Sequence, residues 1–368
     1  MNLYHFTKVD VLQKIIDDHQ FYAFHVKYSN DHQEFDNGYS KIYRELKKLP
    51  KLLSEQPSIK PEFQNVIQKI ISEIPSKPYS TNFMQYSYFD SKRHKSSPEI
   101  YFVCFTKNKE SLSQWEMYAK ETGVSIEFDF EGYEFVDKSM PEKFSKYCKK
   151  NDIDSANLYR HSKNEKNYAE VRSFGNEIHK VEYGKDDVKK IVKKAVEDVL
   201  ESLVNMKQKP ANEINGIIKK CFENAPLIKG SEHEEEKEYR LIFRPKHLLL
   251  LDDKNKNYAC HNTIHHLNLD GVLTPYMKIA WQPIDKTRPL PYPIKSVTIG
   301  PGWNQDIVYK SVIHYLNSNT SKIVKPECNN TVKEIVDKWF KNHKSFQSQY
   351  MTETGILVRK SKSSHIFK

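Results

Sequence analysis

Strand-forming runs in this chain are short and are separated by long helical stretches without regular strand-helix-strand alternation. That pattern argues for an α+β fold rather than a doubly wound parallel sheet. The strand candidates include Leu3-Tyr4-His5-Phe6-Thr7, Phe21 to Asn30, Ile100 to Phe105, Val124 to Phe130, the run ending at Phe243, and Ile294 to Ile299. Two helical insertions lie between them. Over 39–74, Ile42, Leu46, Leu49, Leu52 and Leu53, then Phe63, Val66, Ile67, Ile70 and Ile71, recur at helical spacing, and Pro50 is expected to break the first run. Over 185–224, Val188, Ile191, Val192, Ala195, Val196, Val199 and Leu200 begin a broad apolar stripe that reads as a helical hairpin covering the core. The expectation is one domain from residue 1 to about 320 with a split, antiparallel-rich sheet, followed by a basic C-terminal extension over 321–368.

At 368 residues the chain is long enough to bury a sizeable core. A mean hydropathy of −0.75, with Leu248 to Leu251 as the densest aliphatic run, excludes a transmembrane helix. Lys8 and Asp10 interrupt any apolar leader, so no signal peptide and a cytoplasmic location are expected. The cysteines, Cys104, Cys148, Cys221, Cys260 and Cys328, are odd in number and lack CxxC spacing, which suits reduced thiols. A net charge of +10 raises nucleic-acid binding as a possibility. Most basic residues, however, interleave with Asp and Glu along helices such as Lys185 to Glu201, as on a solvated face. The tail is the exception, since Lys341, Lys344, Arg359, Lys360, Lys362 and Lys368 face the single acid Glu353. It reads either as a plain terminal extension or as a contact for an acidic partner or nucleic acid.

Several segments carry residues with chemistry. His5 and Thr7 lie on a strand just ahead of a helix marked by Val9, Leu12, Ile15 and Ile16. Either they open a ligand pocket, or Thr7 caps the helix and His5 is a half-buried strand residue. Glu127, Asp129 and Glu131 alternate with Ile126, Phe128 and Phe130, giving a strand with one acidic face. In Glu234-Glu235-Glu236-Lys237-Glu238-Tyr239-Arg240-Leu241-Ile242-Phe243, an acidic run turns into a strand on which Glu236, Glu238 and Arg240 share one face. Cys260, His261, His265 and His266 lie close together but lack a matching second ligand pair, so no metal site is expected there. Gly300-Pro301-Gly302 precedes a helix, but it lacks a phosphate-loop spacing and Asp306 would repel an anion.

Taken in order, Leu3-Tyr4-His5-Phe6-Thr7, Ser29-Asn30-Asp31 with Glu34-Phe35, Val103-Cys104-Phe105-Thr106 with Trp115 and Tyr118, Gly123-Val124-Ser125-Ile126-Glu127-Phe128, Val181-Glu182-Tyr183, Lys237-Glu238-Tyr239-Arg240 and Ile299-Gly300-Pro301 resemble the bacterial family catalogued as domain of unknown function 2971. Two departures stand out. Thr106 replaces the usual serine, and His32 replaces the proline that follows the Asn-Asp pair.

More remotely, the strand histidine, the central strand-to-helix unit and the late glutamate resemble the His-Tyr-Glu arrangement of ADP-ribosyltransferases. That resemblance implies an ADP-ribosyltransferase-like sheet with NAD as substrate. His5, Tyr101 and Glu238 would be the catalytic set, and His5, Thr7, Thr106, Trp115, Tyr118 and Arg240 would line the NAD site. His5 would bond a ribose hydroxyl, Tyr101 or Tyr118 would pack on the nicotinamide, and Glu238 would hold the nicotinamide ribose. A carboxylate at that sugar stabilises the oxocarbenium-like transition state, and the chemistry needs no metal. The acceptor would be a macromolecule, protein or nucleic acid, or water, in a toxin or antiviral effector with a possible antitoxin or defence-system partner and no membrane. The rivals are a nucleic-acid-binding protein or Mg-dependent nuclease using the basic tail with Glu127, Asp129 and Glu238, and a non-catalytic interaction protein on a decayed enzyme scaffold.

Overall fold

The computed structural model describes residues 1–28, 34–54, 65, 68–69, 71–72, 74, 100–119, 123–137, 178–184, 186–194, 197, 221–222, 224–243, 247–251, 257–261, 264–269, 271–284, 292–324, 328–342 and 349–362. Ser29-Asn30-Asp31, the loop expected from Pro75 to Pro98 and the middle of the second insertion lie outside them.

β1 (Asn2–Lys8) enters α1 (Val9–Asp18), where Leu12, Ile15 and Ile16 are buried at helical spacing. The cap position is Lys8 and no side chain caps the helix, so Thr7 does not have that role. His19, in the left-handed region at φ 52°, turns the chain into β2 (Gln20–His25). α2 (Glu34–Leu46) and α3 (Leu49–Ser54) are separated at Lys47 and Lys48, so the break precedes Pro50 instead of falling on it. Proline is tolerated in a helix's first turn because its missing N–H has no intrahelical acceptor there.

β3 (Tyr101–Thr106) leads to α4, a short helix over Leu112–Gln114 continued by a π turn over Trp115–Ala119. Next come β4 (Gly123–Asp129), β5 (Tyr133–Asp137), β6 (Ile178–Lys180), β7 (Glu182–Tyr183), β8 (Ile228–Lys229) and β9 (Glu238–Phe243). The remaining strands are β10 (His247–Leu251), β11 (Asn257–His261), β12 (His265–Leu269), β13 (Val272–Pro283), β14 (Ile294–Ile299), β15 (Gln349–Met351) and β16 (Leu357–Lys360). α5 (Gln305–Ser318), α6 (Thr320–Ile323) and α7 (Asn329–Asn342) lie between β14 and β15.

The fold is α+β. Its main sheet follows the order β12-β13-β2-β3-β1-β4-β14-β16-β15, with β5 added to β13 and β6 joined through β9 to β3. All of its pairings among the described residues are antiparallel except β14 with β16. β9 pairs along the whole of β3, while the opposite edge of β3 is shared: β2 meets Tyr101 and Phe102, and β1 meets Thr106. The sheet therefore divides at β3.

Its two faces are covered differently. On the α1 face, α1, α5, α6 and α7 bury Leu3, Tyr101, Val103, Phe105, Ile126, Phe128, Val297 and Val358 in one large core. On the opposite face, called the α2 face, α2 packs over Phe102 and Ile242, and α4 packs over Phe6. One expectation is corrected here. The stretch 321–368 is not simply an extension, because β16 pairs in register with β14 through Val297 and Val358, and Val358 is fully buried.

Candidate functional site

Register decides which side chains meet. Tyr4 is opposite Thr106, and Thr106 is opposite Glu238, so these three share the α2 face across β1, β3 and β9. Two residue pairs further along, and so on the same face, Cys104 is opposite Arg240. Directly paired residues project to the same side of a sheet.

Under this row lies a buried cluster of charges. Arg240 grips Glu238 in bidentate fashion, Nε donating to Oε1 at 2.7 Å and Nη2 to Oε2 at 2.9 Å. The same guanidinium donates from Nη2 to Glu34 on α2 and from Nη1 to the Pro226 carbonyl at 2.5 Å, with the Phe102 ring 4.8 Å from its centre. Lys229 Nζ lies 2.7 Å from Glu34, 2.7 Å from Glu236 and 3.2 Å from Glu238. Three carboxylates thus share two cations, formally leaving one negative charge uncompensated.

Glu236 is not on the strand with Glu238. It ends a 3-10 turn over Ser231–Glu236, and Lys237, in the left-handed region at φ 45°, returns the chain to β9. Its carboxylate nevertheless joins the cluster through Lys229 and His233 Nδ1, the latter at 2.9 Å. Thr106 holds this turn by donating from Oγ1 to the Glu236 carbonyl at 2.5 Å.

Burial alone would raise the pKa of Glu238, but the adjacent Arg240 guanidinium, with Lys229 and the Cys104 thiol, brings it down to about 2. Burial, and then the Glu238 charge, push the Cys104 thiol well above its ordinary range, so it stays protonated and donates to Glu238. Tyr183 accepts the Glu238 backbone N–H at 2.8 Å, and burial raises its pKa. The pKa of Tyr118, which packs with Phe6 and Trp115, is raised by burial and then by Cys104 and Glu238.

His5 and Tyr101 do not join it. Thr7 and His5 alternate with Tyr4 and Phe6 and lie on the α1 face, opposite Val124 and Ile126. The His5 ring sits against Phe21 and Phe105, with Nδ1 2.8 Å from the Cys104 carbonyl, and desolvation lowers its pKa. A neutral ring donates that hydrogen bond, since a carbonyl only accepts. Tyr101 is 1% exposed and packs in the α1-face core. The expected catalytic trio is therefore corrected: the sheet separates His5 and Tyr101 from Glu238, because residues one apart on a strand point to opposite faces.

Of the residues expected to line an NAD site, Trp115, Tyr118, Thr106 and Arg240 share the Glu238 face, while Thr7 does not. Trp115 is fully buried, edge-on to Phe6 at 4.7 Å, and acts in packing. A Cβ on Gly300 would come within 2.9 Å of that indole, which explains the glycine without a phosphate. Arg240 is 2% exposed and binds Glu238 and Glu34, so it is an organiser of the cluster. Sequence reasoning missed Glu34, Lys229, Cys104, Tyr183 and Tyr4. All but Lys229 lie in segments that carry the family resemblance, which was the signal available for them.

Glu127 is also mostly buried, held by Asn2 Nδ2 at 2.7 Å and by Ser296 Oγ. Among the described residues no group of three His, Cys, Asp or Glu side chains is placed to share a metal ion. His265 and His266 fall on β12 while Cys260 and His261 fall on β11, and His265 stacks on Tyr276 at 5.4 Å.

These features define an α+β protein with an organised buried charge cluster on one face of a divided sheet. Residues 114–241, from α4 to β9, match the family described as protein of unknown function (DUF2971), the family that the sequence resembles. That span contains Tyr118, Tyr183, Lys229, Glu236, Glu238 and Arg240. No curated protein and no solved structure matches the chain. No helix among the described residues is long and apolar enough to cross a membrane.

Proposed function

We propose that the chain is an NAD-consuming, ADP-ribosyltransferase-like enzyme acting on a macromolecular acceptor or on water, as in a toxin or antiviral effector, with Glu238 as its catalytic carboxylate. The observation that carries this reading is the charge balance of the cluster, three carboxylates against Lys229 and Arg240. Cleaving the N-glycosidic bond sends its electron pair to nicotinamide and leaves positive charge on the ribose. A pre-ordered negative site stabilises that charge more in the transition state than in the ground state. Tyr4, in register with Thr106 and Glu238, takes the strand position assigned to His5 by sequence.

A second reading, a non-catalytic scaffold, is favoured by Arg240 occupying both oxygens of Glu238. The nuclease reading is weakened because β3 and β1 lie between the strands carrying Glu238 and Glu127, a separation of about 14 Å between strand axes.

The test is nicotinamide release from NAD in the presence of cell extract. Wild type should turn over and Glu238→Gln should lose on the order of 100-fold in rate. Turnover that survives in Glu238→Gln removes that residue from the mechanism. Release in neither protein supports the scaffold.

A further inference from the structure

Trp115 Nε1, Ser125 Oγ and Arg359 Nε are buried side-chain atoms without a hydrogen-bond partner among the described residues, and all three belong to the α2 face. Ser125 is opposite Phe6 on one side and Thr298 on the other, and Thr298 is opposite Arg359. Ser125, Thr298 and Arg359 therefore form a row across β4, β14 and β16. Trp115 packs on Phe6 and against Gly300, two residues beyond Thr298. In the adjoining row Tyr4, Glu127 and Ser296 are in register.

Arg359 leans across this row. Its Nη2 lies 3.6 Å from Glu127 Oε2, longer than a hydrogen bond, while Glu127 is held by Asn2 and Ser296. Arg359 also lowers the pKa of Tyr4, against the larger upward effects of burial and Glu127, so its charge is felt as far as β1. The indole N–H and the guanidinium Nε–H are donors only, and the Ser125 hydroxyl is able to donate. The Ser125 hydroxyl and the Arg359 Nε–H are thus two unpartnered donors in one row, with Glu127 Oε2 beyond hydrogen-bond distance of Arg359, and an oxyanion would satisfy them.

We propose that Arg359 and Ser125 form a subsite for a phosphate oxyanion, which in the NAD reading belongs to the substrate's diphosphate. That second clause rests on the proposed function. The subsite itself does not. Arg359 is 35% exposed, which gives an anion an approach from the β16 side.

The experiment is calorimetric titration of the full chain with inorganic pyrophosphate and with ADP-ribose, alongside KM and kcat for NAD. Arg359→Gln should weaken both ligands by at least 10-fold, Ser125→Ala by a few-fold, and Arg359→Lys should fall between wild type and Arg359→Gln because it keeps the charge but not the planar fork. KM for NAD should rise in Arg359→Gln with kcat largely kept, the mark of a binding contact remote from the reacting bond. Failure of both ligands to bind wild type, or equal affinity in a folded Arg359→Gln, overturns the subsite. Arg359-dependent pyrophosphate binding without NAD cleavage keeps the subsite and removes the NAD reading.

Discussion

His5 and Glu238 are both ionisable groups enclosed by neighbouring strands, and the two faces of the sheet treat them in opposite ways. On the α1 face, His5 is surrounded by Phe21 and Phe105, has one backbone acceptor, and is driven towards its neutral form by desolvation. On the α2 face, Glu238 is more deeply buried, yet Arg240 and Lys229 keep it ionised with a pKa of about 2. Burial alone removes charge, whereas burial with oriented counter-charges fixes it in place. Packing dominates the first face and organised charge is concentrated on the second, which is why the chemistry is assigned there.

The largest expected effect tests that contrast directly. Arg240→Met should cost about 3–5 kcal/mol in urea unfolding, because it leaves Glu34 and Glu238 buried with Lys229 as their remaining cation. A cost under 1 kcal/mol would mean that the cluster is wetter than its geometry indicates. Next is the seating of α4. A Cβ on Gly123 would lie 1.9 Å from the Ala119 Cβ, so Gly123→Ala should cost about 1–3 kcal/mol and weaken the packing around Trp115, measured by thermal unfolding and near-ultraviolet dichroism. His5→Phe, on the other face, should cost only about 1 kcal/mol, the worth of one hydrogen bond to the Cys104 carbonyl, and should leave any NAD turnover near the wild-type rate. A loss of turnover matching that of Glu238→Gln would break the separation between the faces.

The smallest effect lies at the solvent end of β4. The Lys295 ammonium, 2.5 Å from Asp129, is the main cause that lowers the Asp129 pKa from 3.8 to about 2, with burial opposing it. A carboxylate whose pKa is depressed in the folded state contributes stability above its unfolded value and loses it on acidification. Lys295→Ala should therefore lower stability at pH 6 by less than about 1 kcal/mol, and the difference should shrink between about pH 4 and pH 2. A difference that persists at pH 2 would assign it to packing.

Much of the architecture was legible because it is local. The spacing of Leu12, Ile15 and Ile16 fixed α1, the apolar run from Ile294 to Ile299 fixed β14, and the alternation around Ile126 and Phe128 fixed β4. The joining of β16 to β14 was not legible, because it pairs Val297 with Val358 across a long stretch of chain, and local periodicity does not say which distant strand a segment joins.

The functional residues divide along the same line. Alternation within β1 determined that Tyr4 and Phe6 point one way while Leu3, His5 and Thr7 point the other, since strand geometry has a period of two. It did not determine which of those sets meets Glu238. That depends on how β1 is set against β3 and β3 against β9, and the structure sets Tyr4 opposite Thr106 and Thr106 opposite Glu238. A slip of one residue at either seam would have put His5 on the Glu238 face. Likewise, Glu34 from α2 reaches Arg240 and Lys229 from β8 reaches Glu238, so the site's charge balance arises from contacts between segments far apart in sequence, which only the packed tertiary structure brings together.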